Sequence, residues 1–525
     1  MSSDLNSKKS LFSEFSPSDK AEWEELIKQD LNGADYQQKL AWKTLEGITI
    51  PPFFMKTDSE RLEPAYSPPL HKTTHWACCE PIYDAKPEPA SKSIQKAIRG
   101  GADAALISTT IAPPSDELSG DISGTLIQTQ QNMDTLLDGM DSGTELIFDC
   151  GMAAPALLSM MKNTKKHQLK CYFTFDPFTF IARHGRLPVP EERISKLIQS
   201  LCESVDSHSL CADASFYHHS GATILQELAV ALAIGSEFLA SVPEPDRSKT
   251  AENLFVKMAS GPFFFPEMAK FRALRLLWNR MLDAWNITPA EPLKIFAETS
   301  RVNKSAADPH NNLLRTVNES MSAILGGTDL LMVHPWDSEI EQSSELSKRM
   351  ARNVHHILRE EAHFDKVDDP AAGSYYVEHL TETLALEAWN YFRQIEGEGG
   401  LLQALKNGSV QNEIIKARKE KETAYQKNER VLVGSNKYSN PQNKVPEKPL
   451  NSVKTNSLNQ TGYPFIPDIG DEVVLLQQAF REGAVIGDVL ERFLEHQKIL
   501  FTALQEYKTA SPFEQAREKT KRQDS

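Results

Sequence analysis

The sequence predicts an α/β protein built as a (βα)8 TIM-type barrel, and three observations predict it. Short β-rich runs recur along the chain, helical patterns fill the gaps between them, and the unit repeats eight times. Strand–helix alternation implies parallel strands, because a parallel pair needs a crossover to bring the chain back to the same edge. Eight such units favour a closed barrel over an open sheet. At 525 residues the chain exceeds one ordinary domain, yet it suits a barrel of roughly 250 residues or more with appended segments.

Residues 1–69 form an N-terminal arm whose first twenty or so residues are expected to be mobile. Trp23, Leu26, Ile27 and Leu31 fall on one helical face, and Gly33 follows as a stop signal. A proline-rich stretch, Gly47–Pro69, reads as chain running over a surface. The barrel is expected over 70–433. Its strands lie at about 74–82 (THWACCEPI), 104–109 (AALIST), 145–149 (ELIFD) and 170–176 (KCYFTFD). Four more follow at about 209–217 (LCADASFYH), 254–260 (LFVKMAS), 292–299 (PLKIFAET) and 329–334 (DLLMVH). Helical patterns such as 222–240 and 266–285 separate them, and a polar helical region spans 343–428. The stretch 434–470, rich in Asn, Pro, Lys and Ser, reads as a linker. C-terminal helices are expected within 471–525, at about 472–482 and 485–507, before a charged end that frays.

Hydrophobic residues make up 40% of the chain and charged residues 25%, enough for a large core with an ordinary soluble surface. The net charge of −15 argues against a nucleic-acid or anionic-membrane binder, since both need a basic footprint. No apolar run approaches the roughly 18–20 residues of a membrane span. The N-terminus has no apolar core for secretion and carries acidic residues that a mitochondrial presequence avoids. The six cysteines (78, 79, 150, 171, 202, 211) are scattered without paired CxxC spacing, so neither a disulfide framework nor a metal site is expected. A cytoplasmic location is the expectation.

The segment WEELIKQDLNGADYQQKLAWKTLEGITIPPFF opens the chain's ordered part, followed by PEMAKFRALRLLW at 266–278 and DPHNNLLRTVNESMSAILGGTDLLMVHPWD at 308–337. DPAAGSYYVEHLT (369–381) and GSNKY (434–438) come after them. In this order they resemble the methylmalonyl-CoA mutase family over roughly residues 20–440, with a weaker match at SPFEQAREK, 511–519. The resemblance implies a partner-contacting arm and a barrel that threads a CoA chain along its axis. It also implies the interconversion of methylmalonyl-CoA and succinyl-CoA, in propionate metabolism, by radical chemistry that adenosylcobalamin supplies.

Against that pattern the reaction site reads as degenerate, with no catalytic residue expected to survive. In catalytic members the first strand carries arginines and a tyrosine facing the substrate; here, in HWACCEPIY, Cys79 replaces an arginine and Pro81 stands where the tyrosine belongs. Tyr83 lies two residues on, on the same face of a strand. The fourth strand leads to an arginine that pairs with the substrate carboxylate; here that position is His184, with Arg183 beside it. A neutral imidazole lacks the permanent charge and bidentate fork of a guanidinium. The fifth strand ends in a histidine that bonds the migrating carbonyl; ungapped, Phe216 stands there, and a two-residue gap would bring His218 into line. His218, His219 and Arg183 are the weak surviving candidates, and the simpler reading makes the two histidines ordinary hydrogen-bonding loop residues.

The family's cobalamin signature is Asp-x-His-x-x-Gly. Asp206–His208–Cys211 and Asp308–His310–Leu313 approach it, but both lack the glycine and both lie within the barrel pattern. The expectation is therefore a chain with no cobalamin domain and no bound cofactor. It would be the non-catalytic small (beta) subunit of a heterodimer whose large subunit holds adenosylcobalamin. One alternative is a catalytic acyl-CoA mutase barrel served by a separate cobalamin-binding polypeptide; another is an acyl-CoA-binding regulatory protein. Glu267, Lys270, Arg272 and Arg275, at i,i+3 and i,i+4 spacing, read as a solvated face or a subunit contact. Gly326–Gly327 reads as a helix cap and turn. Asp308, Asn311, Asn312 and Arg315 read as a network at the barrel mouth in which Asp308 caps a helix.

Overall fold

The computed structural model describes residues 19–55, 58, 75–110, 124–164, 169–203, 208–340, 343–440, 472–484, 486 and 501–516. The chain divides into two units, residues 1–65 and 66–525. In the first, the helix Lys20–Asp30 starts at Asp19, whose carboxylate accepts the Glu22 N–H at 2.8 Å, and none of its residues is buried. Trp23 stacks on Phe53 at 4.5 Å between ring centres, and the strands Trp42–Lys43 and Thr49–Ile50 pair as a hairpin.

The second unit is the barrel. Its strands are β1 (Ala77–Ile82), β2 (Ala104–Thr110), β3 (Glu145–Asp149), β4 (Lys170–Phe173), β5 (Leu210–Asp213), β6 (Leu254–Ser260), β7 (Lys294–Thr299) and β8 (Leu330–Met332). All eight expected runs are strands. Every neighbouring pair within the ladder is parallel, and β8 returns to pair with β1. The seam between β4 and β5 is closed by one bridge, Phe175 to Leu210. The Cys211 N–H bonds the Phe175 carbonyl there, and the Phe173 N–H bonds that of His208, both at 3.0 Å. β5 is shorter than the sequence suggests. Its expected end, 215–217, belongs instead to a short helix, Ser215–His219, which turns Phe216, His218 and His219 off the strand.

Side chains in a strand alternate faces, so a closed barrel must fill its axis from every second residue. Cys79, Ala104, Leu106, Ile147, Tyr172, Cys211, Phe255, Phe296, Leu330 and Met332 form that buried apolar filling. Tyr172 meets Phe255 edge to face at 5.5 Å. The axis is packed with aromatic and aliphatic side chains.

The expectation for the helix Phe264–Ala284 is overturned. Glu267, Lys270, Arg272 and Arg275 are buried, with relative exposures of 1%, 0%, 0% and 4%. Spacing alone does not separate a solvated face from a buried one whose charges are all paired. Lys270 bonds Glu227 at 2.8 Å and Glu267 at 2.5 Å, ion pairs that hold its ammonium above its ordinary pKa against the effect of burial. Arg272 forks onto Asp369 (2.9 and 3.1 Å) and reaches Glu378 (2.9 Å) and the Thr381 hydroxyl (2.8 Å). Arg275 donates to the carbonyls of Leu293 and Gly327 and pairs with Asp329. A Cβ on Gly326 would lie 2.8 Å from the Met268 carbonyl, so the close approach of this helix requires glycine there.

The polar mouth network is present, with one correction: the helix His310–Leu325 has no side-chain cap, and Asp308 instead accepts from the Asn311 amide at 2.8 Å. Asn312 ties Ser305 to Trp336, and Arg315 bonds both Asn312 and the Val433 carbonyl. The first C-terminal helix is Glu472–Arg481. Most of the linker, 441–470, and residues 487–500 lie outside the described residues. Residues 501–508 are not helical; the N–H groups of Phe501, Leu504 and Tyr507 bond carbonyls of the barrel instead. No helix among the described residues is long and apolar enough to cross a membrane.

Arg272→Met strands Asp369 and Glu378 in a dry site. It is expected to cost about 3–5 kcal/mol, the usual result of removing one partner from a buried pair. Urea unfolding measures this; a loss below about 0.5 kcal/mol, the surface value, would contradict the burial assignment.

Candidate functional site

Two residues beyond the apolar layer, on the same inward face, the barrel turns polar: Asp149, Thr174, Asp213, Lys257, Glu298 and His334 follow Ile147, Tyr172, Cys211, Phe255, Phe296 and Met332. Glu298 sits at the centre of this ring. It lies 3.0 Å from His334 Nε2, 3.6 Å from Lys257 Nζ and 3.8 Å from His219 Nδ1. Lys257 also faces Asp213 at 4.0 Å, and Asp213 accepts the Ser215 hydroxyl at 2.6 Å. Thr174 donates to Asp149 at 3.1 Å.

Burial opposes the charge on Glu298, yet Lys257, His334 and His219 hold its carboxyl well below the usual carboxylate range. Burial likewise opposes the charge on Lys257, and Asp213, Glu298 and Asp149 raise its pKa. Burial pushes Asp176 up to about 7, even though it accepts the N–H groups of Phe178, Thr179 and Asp213. Burial, then Arg301, drives His219 well below the ordinary imidazole value, and its Nε2 accepts the Arg301 N–H at 3.3 Å.

A strap, residues 501–516, lies over this mouth. Its Phe501, Leu504, Tyr507 and Thr509 N–H groups bond the carbonyls of Gly185, Ala182, His219 and Val302, at 3.0, 2.8, 2.9 and 2.8 Å. Glu506 pairs with Arg301 at 2.9 Å and Arg183 at 3.4 Å, and Lys508 pairs with Glu339. Glu514 accepts the Ser305 hydroxyl and the Ala306 and Ala307 N–H groups. Behind the strap, Arg418 covers the Tyr507 ring at 4.8 Å.

The residues singled out from the sequence divide between core and mouth. Cys79 lies in the apolar layer and Pro81 is buried next along β1, paired with Leu106. Tyr83 follows the strand end; its hydroxyl bonds Ser343 and faces Arg301. His184 ends the helix Pro177–His184, its ring tilted against Phe180 with centres 4.3 Å apart, and burial lowers its pKa to about 4. Arg183 turns the other way, over the Phe216 ring at 4.2 Å. His218 bonds the Ser300 hydroxyl at 2.8 Å and faces Glu227 at 3.4 Å. The mouth thus gathers Arg183, Phe216, His218 and His219 but neither Cys79 nor His184. Lys257, Glu298, Arg301 and Glu506 were missed. The available signal was charge at alternate positions inside apolar runs, as in LFVKMAS and KIFAET.

Both histidines of the near-signatures lie against aromatic rings. His208 stacks on Tyr172 at 5.3 Å and burial lowers its pKa to about 4; its would-be partner Asp206 lies outside the described residues. His310 lies tilted against the Trp336 ring at 4.7 Å, and Asp308 is engaged by Asn311.

The buried imidazole of His219 gives the mouth a pH dependence. The unfolded chain takes a proton near pH 6.5 that the folded site refuses, so this histidine removes stability as pH falls below about 6.5, by up to about 1.4 kcal/mol per pH unit. Asp176, with its raised pKa, has the opposite sign, so a variant is needed to separate them. H219Q is expected to flatten the decline of the urea midpoint between about pH 6.5 and 5 relative to the parent; parallel curves would contradict this.

Comparison with known proteins bears on the whole barrel. The family model for methylmalonyl-CoA mutase matches residues 68–462. The methylmalonyl-CoA mutase small subunit of Porphyromonas gingivalis is 31% identical over 460 residues, 82% of this chain and 72% of that one. The small subunit of Propionibacterium freudenreichii subsp. shermanii is 28% identical, over 76% of this chain and 65% of its own. Methylmalonyl-CoA mutase of Cereibacter sphaeroides is 29% identical, over 79% of this chain and 64% of its own. The matched region runs from before β1 to beyond β8, and the chain belongs to the methylmalonyl-CoA mutase family.

Proposed function

We propose that this chain is the non-catalytic small subunit of a heterodimeric, adenosylcobalamin-dependent methylmalonyl-CoA mutase, serving propionate metabolism by stabilising a larger catalytic subunit. In this reading the larger subunit holds the cobalamin, which supplies the radical. The observation that carries it is the filled axis. A barrel that threads a CoA chain needs an open axis, and here Tyr172, Phe255, Phe296 and Met332 occupy it, with the Lys257–Glu298–His334 ion network above them. Clearing that path would empty a packed aromatic core, at about 3–5 kcal/mol for each large ring removed. The shape of this barrel therefore favours a scaffold over the alternative of a catalytic barrel served by a separate cobalamin protein.

A partner role draws support from the N-terminal unit, where Leu26, Leu40 and Trp42 are 61%, 40% and 41% exposed. Apolar side chains held outward on an arm suit burial against another chain. We assign the protein to the cytoplasm, and its six buried free thiols support a reducing compartment.

The test is to purify the chain with and without the large subunit and assay each with adenosylcobalamin and methylmalonyl-CoA. The chain alone is expected to give no succinyl-CoA. Added to the large subunit, it is expected to raise that subunit's thermal unfolding temperature and its yield of active enzyme. Turnover by this chain alone, or a large subunit indifferent to it, would refute the proposal.

A further inference from the structure

On the outer wall of the barrel, the helices Pro87–Arg99 and Glu345–His356 both pack on β1. Between the end of β1 and these helices lies an open cleft of about 360 Å³. A second cleft of about 220 Å³ adjoins it, sharing Glu80, Pro81, Lys348 and Arg352. Glu80 alternates along the strand with Cys79 of the axial filling, so the wall of β1 separates the cleft from the axis.

Four cations line the larger cleft: Lys96 from the first helix, and Lys348, Arg349 and Arg352 from the second. They gather here in a chain whose net charge is −15. Two are neutralised, Lys96 by Glu345 and Arg352 Nη1 by Glu80 Oε2. The other two are not. Lys348 Nζ lies 3.9 Å from Glu345 Oε1 and 5.7 Å above the Tyr83 ring. Arg349 is exposed, and among the described residues no carboxylate lies within ion-pair distance of its guanidinium.

Two buried atoms of the cleft residues have no hydrogen-bond partner: a donor, Arg352 Nε, and an acceptor, Asp84 Oδ2. Both residues are held in place. The Arg352 guanidinium lies against Gly100, where a Cβ would fall 2.7 Å from Cζ. The Asp84 carbonyl accepts the Thr125 hydroxyl at 2.8 Å. Charges placed on helix faces for stability alone are paired with one another or turned to water. A buried donor and a buried acceptor left unfilled beside two unneutralised cations describe a ligand instead. That ligand carries negative charge, several acceptor oxygens and one O–H to give to Asp84. Inorganic phosphate has all three at neutral pH. Sulfate has no O–H, and a phosphate monoester gives up its own near pH 6.

We propose that this cleft binds inorganic phosphate, with Lys348, Arg349 and Arg352 taking its oxygens and Asp84 accepting its O–H. The cations supply the affinity, and Asp84 supplies the choice between phosphate and other dianions, because its carboxylate repels an oxygen that brings no proton. The site lies away from the barrel mouth and is independent of any mutase reaction.

The full-length chain is titrated calorimetrically with phosphate, sulfate and methyl phosphate, at about pH 7.5 and constant ionic strength, where the monoester is a dianion. Phosphate is expected to bind at least about tenfold more tightly than either of the others, the weight of one charged hydrogen bond. R349M and K348M are each expected to weaken phosphate about tenfold or more while keeping the urea midpoint of the parent. D84N is expected to narrow the gap between phosphate and sulfate, since an amide can donate to either. R349M and K348M, whose side chains are not buried, carry the test if D84N does not fold. Absence of saturable phosphate binding by the parent would overturn the proposal. So would equal binding of phosphate and sulfate, the behaviour of a basic patch that attracts any dianion, or folded R349M and K348M that both keep the parent's affinity.

Discussion

A barrel of eight strands encloses a volume that only inward-facing side chains can fill, and most of what distinguishes this protein follows from how it fills that volume. Alternation fixes which residues are available. Phe255 and Phe296 take the axis, and two residues on, Lys257 and Glu298 take the rim. Apolar closure below makes the rim dry, and a dry rim demands that every charge there be paired. The ring of Asp213, Lys257, Glu298, His219 and His334 meets that demand without any external group.

The same demand governs the outer layer. The helix Phe264–Ala284 is buried along most of its length and carries four ionic side chains inward; Glu267 pairs with Lys270 within the helix, while Lys270, Arg272 and Arg275 each bind a different part of the chain. Arg272 fixes the start of the segment 369–381, Arg275 fixes the approach to β8, and Lys270 joins β6 to the helix Ile224–Ala240. Such pairs add less net stability than apolar packing of equal volume would, but they penalise any arrangement in which one partner is displaced. Two segments that the sequence marks as distinctive, PEMAKFRALRLLW and DPAAGSYYVEHLT, meet through Arg272.

The eight strands were legible because each is a short apolar run set between helical patterns, a signal strong enough to survive local exceptions. The end of β5 was not, because SFYHH has the composition of a strand but its backbone turns to carry His218 and His219 under the strap. The charged helix face was misjudged for a different reason: i,i+3 and i,i+4 spacing describes paired charges equally well in water and in a core. Of the mouth, Arg183 and the two histidines were legible from their place after the strands. Arg301 and Glu506 were not, because the meaning of each lies in the other, 205 positions away. The strap itself lacks periodicity, so its helical-looking composition misled.

The seam between β4 and β5 carries a single bridge where the other neighbouring strands share full ladders. It is the least continuous strand pairing of the barrel, held by two backbone bonds and by Asp176 and Thr179 reaching Asp213. The strap crosses this line, bonding Gly185 and Ala182 on one side and His219 on the other. It therefore works as a clasp, and anything that lifts the strap from the mouth also removes backbone bonds that span the barrel's shortest strand pairing.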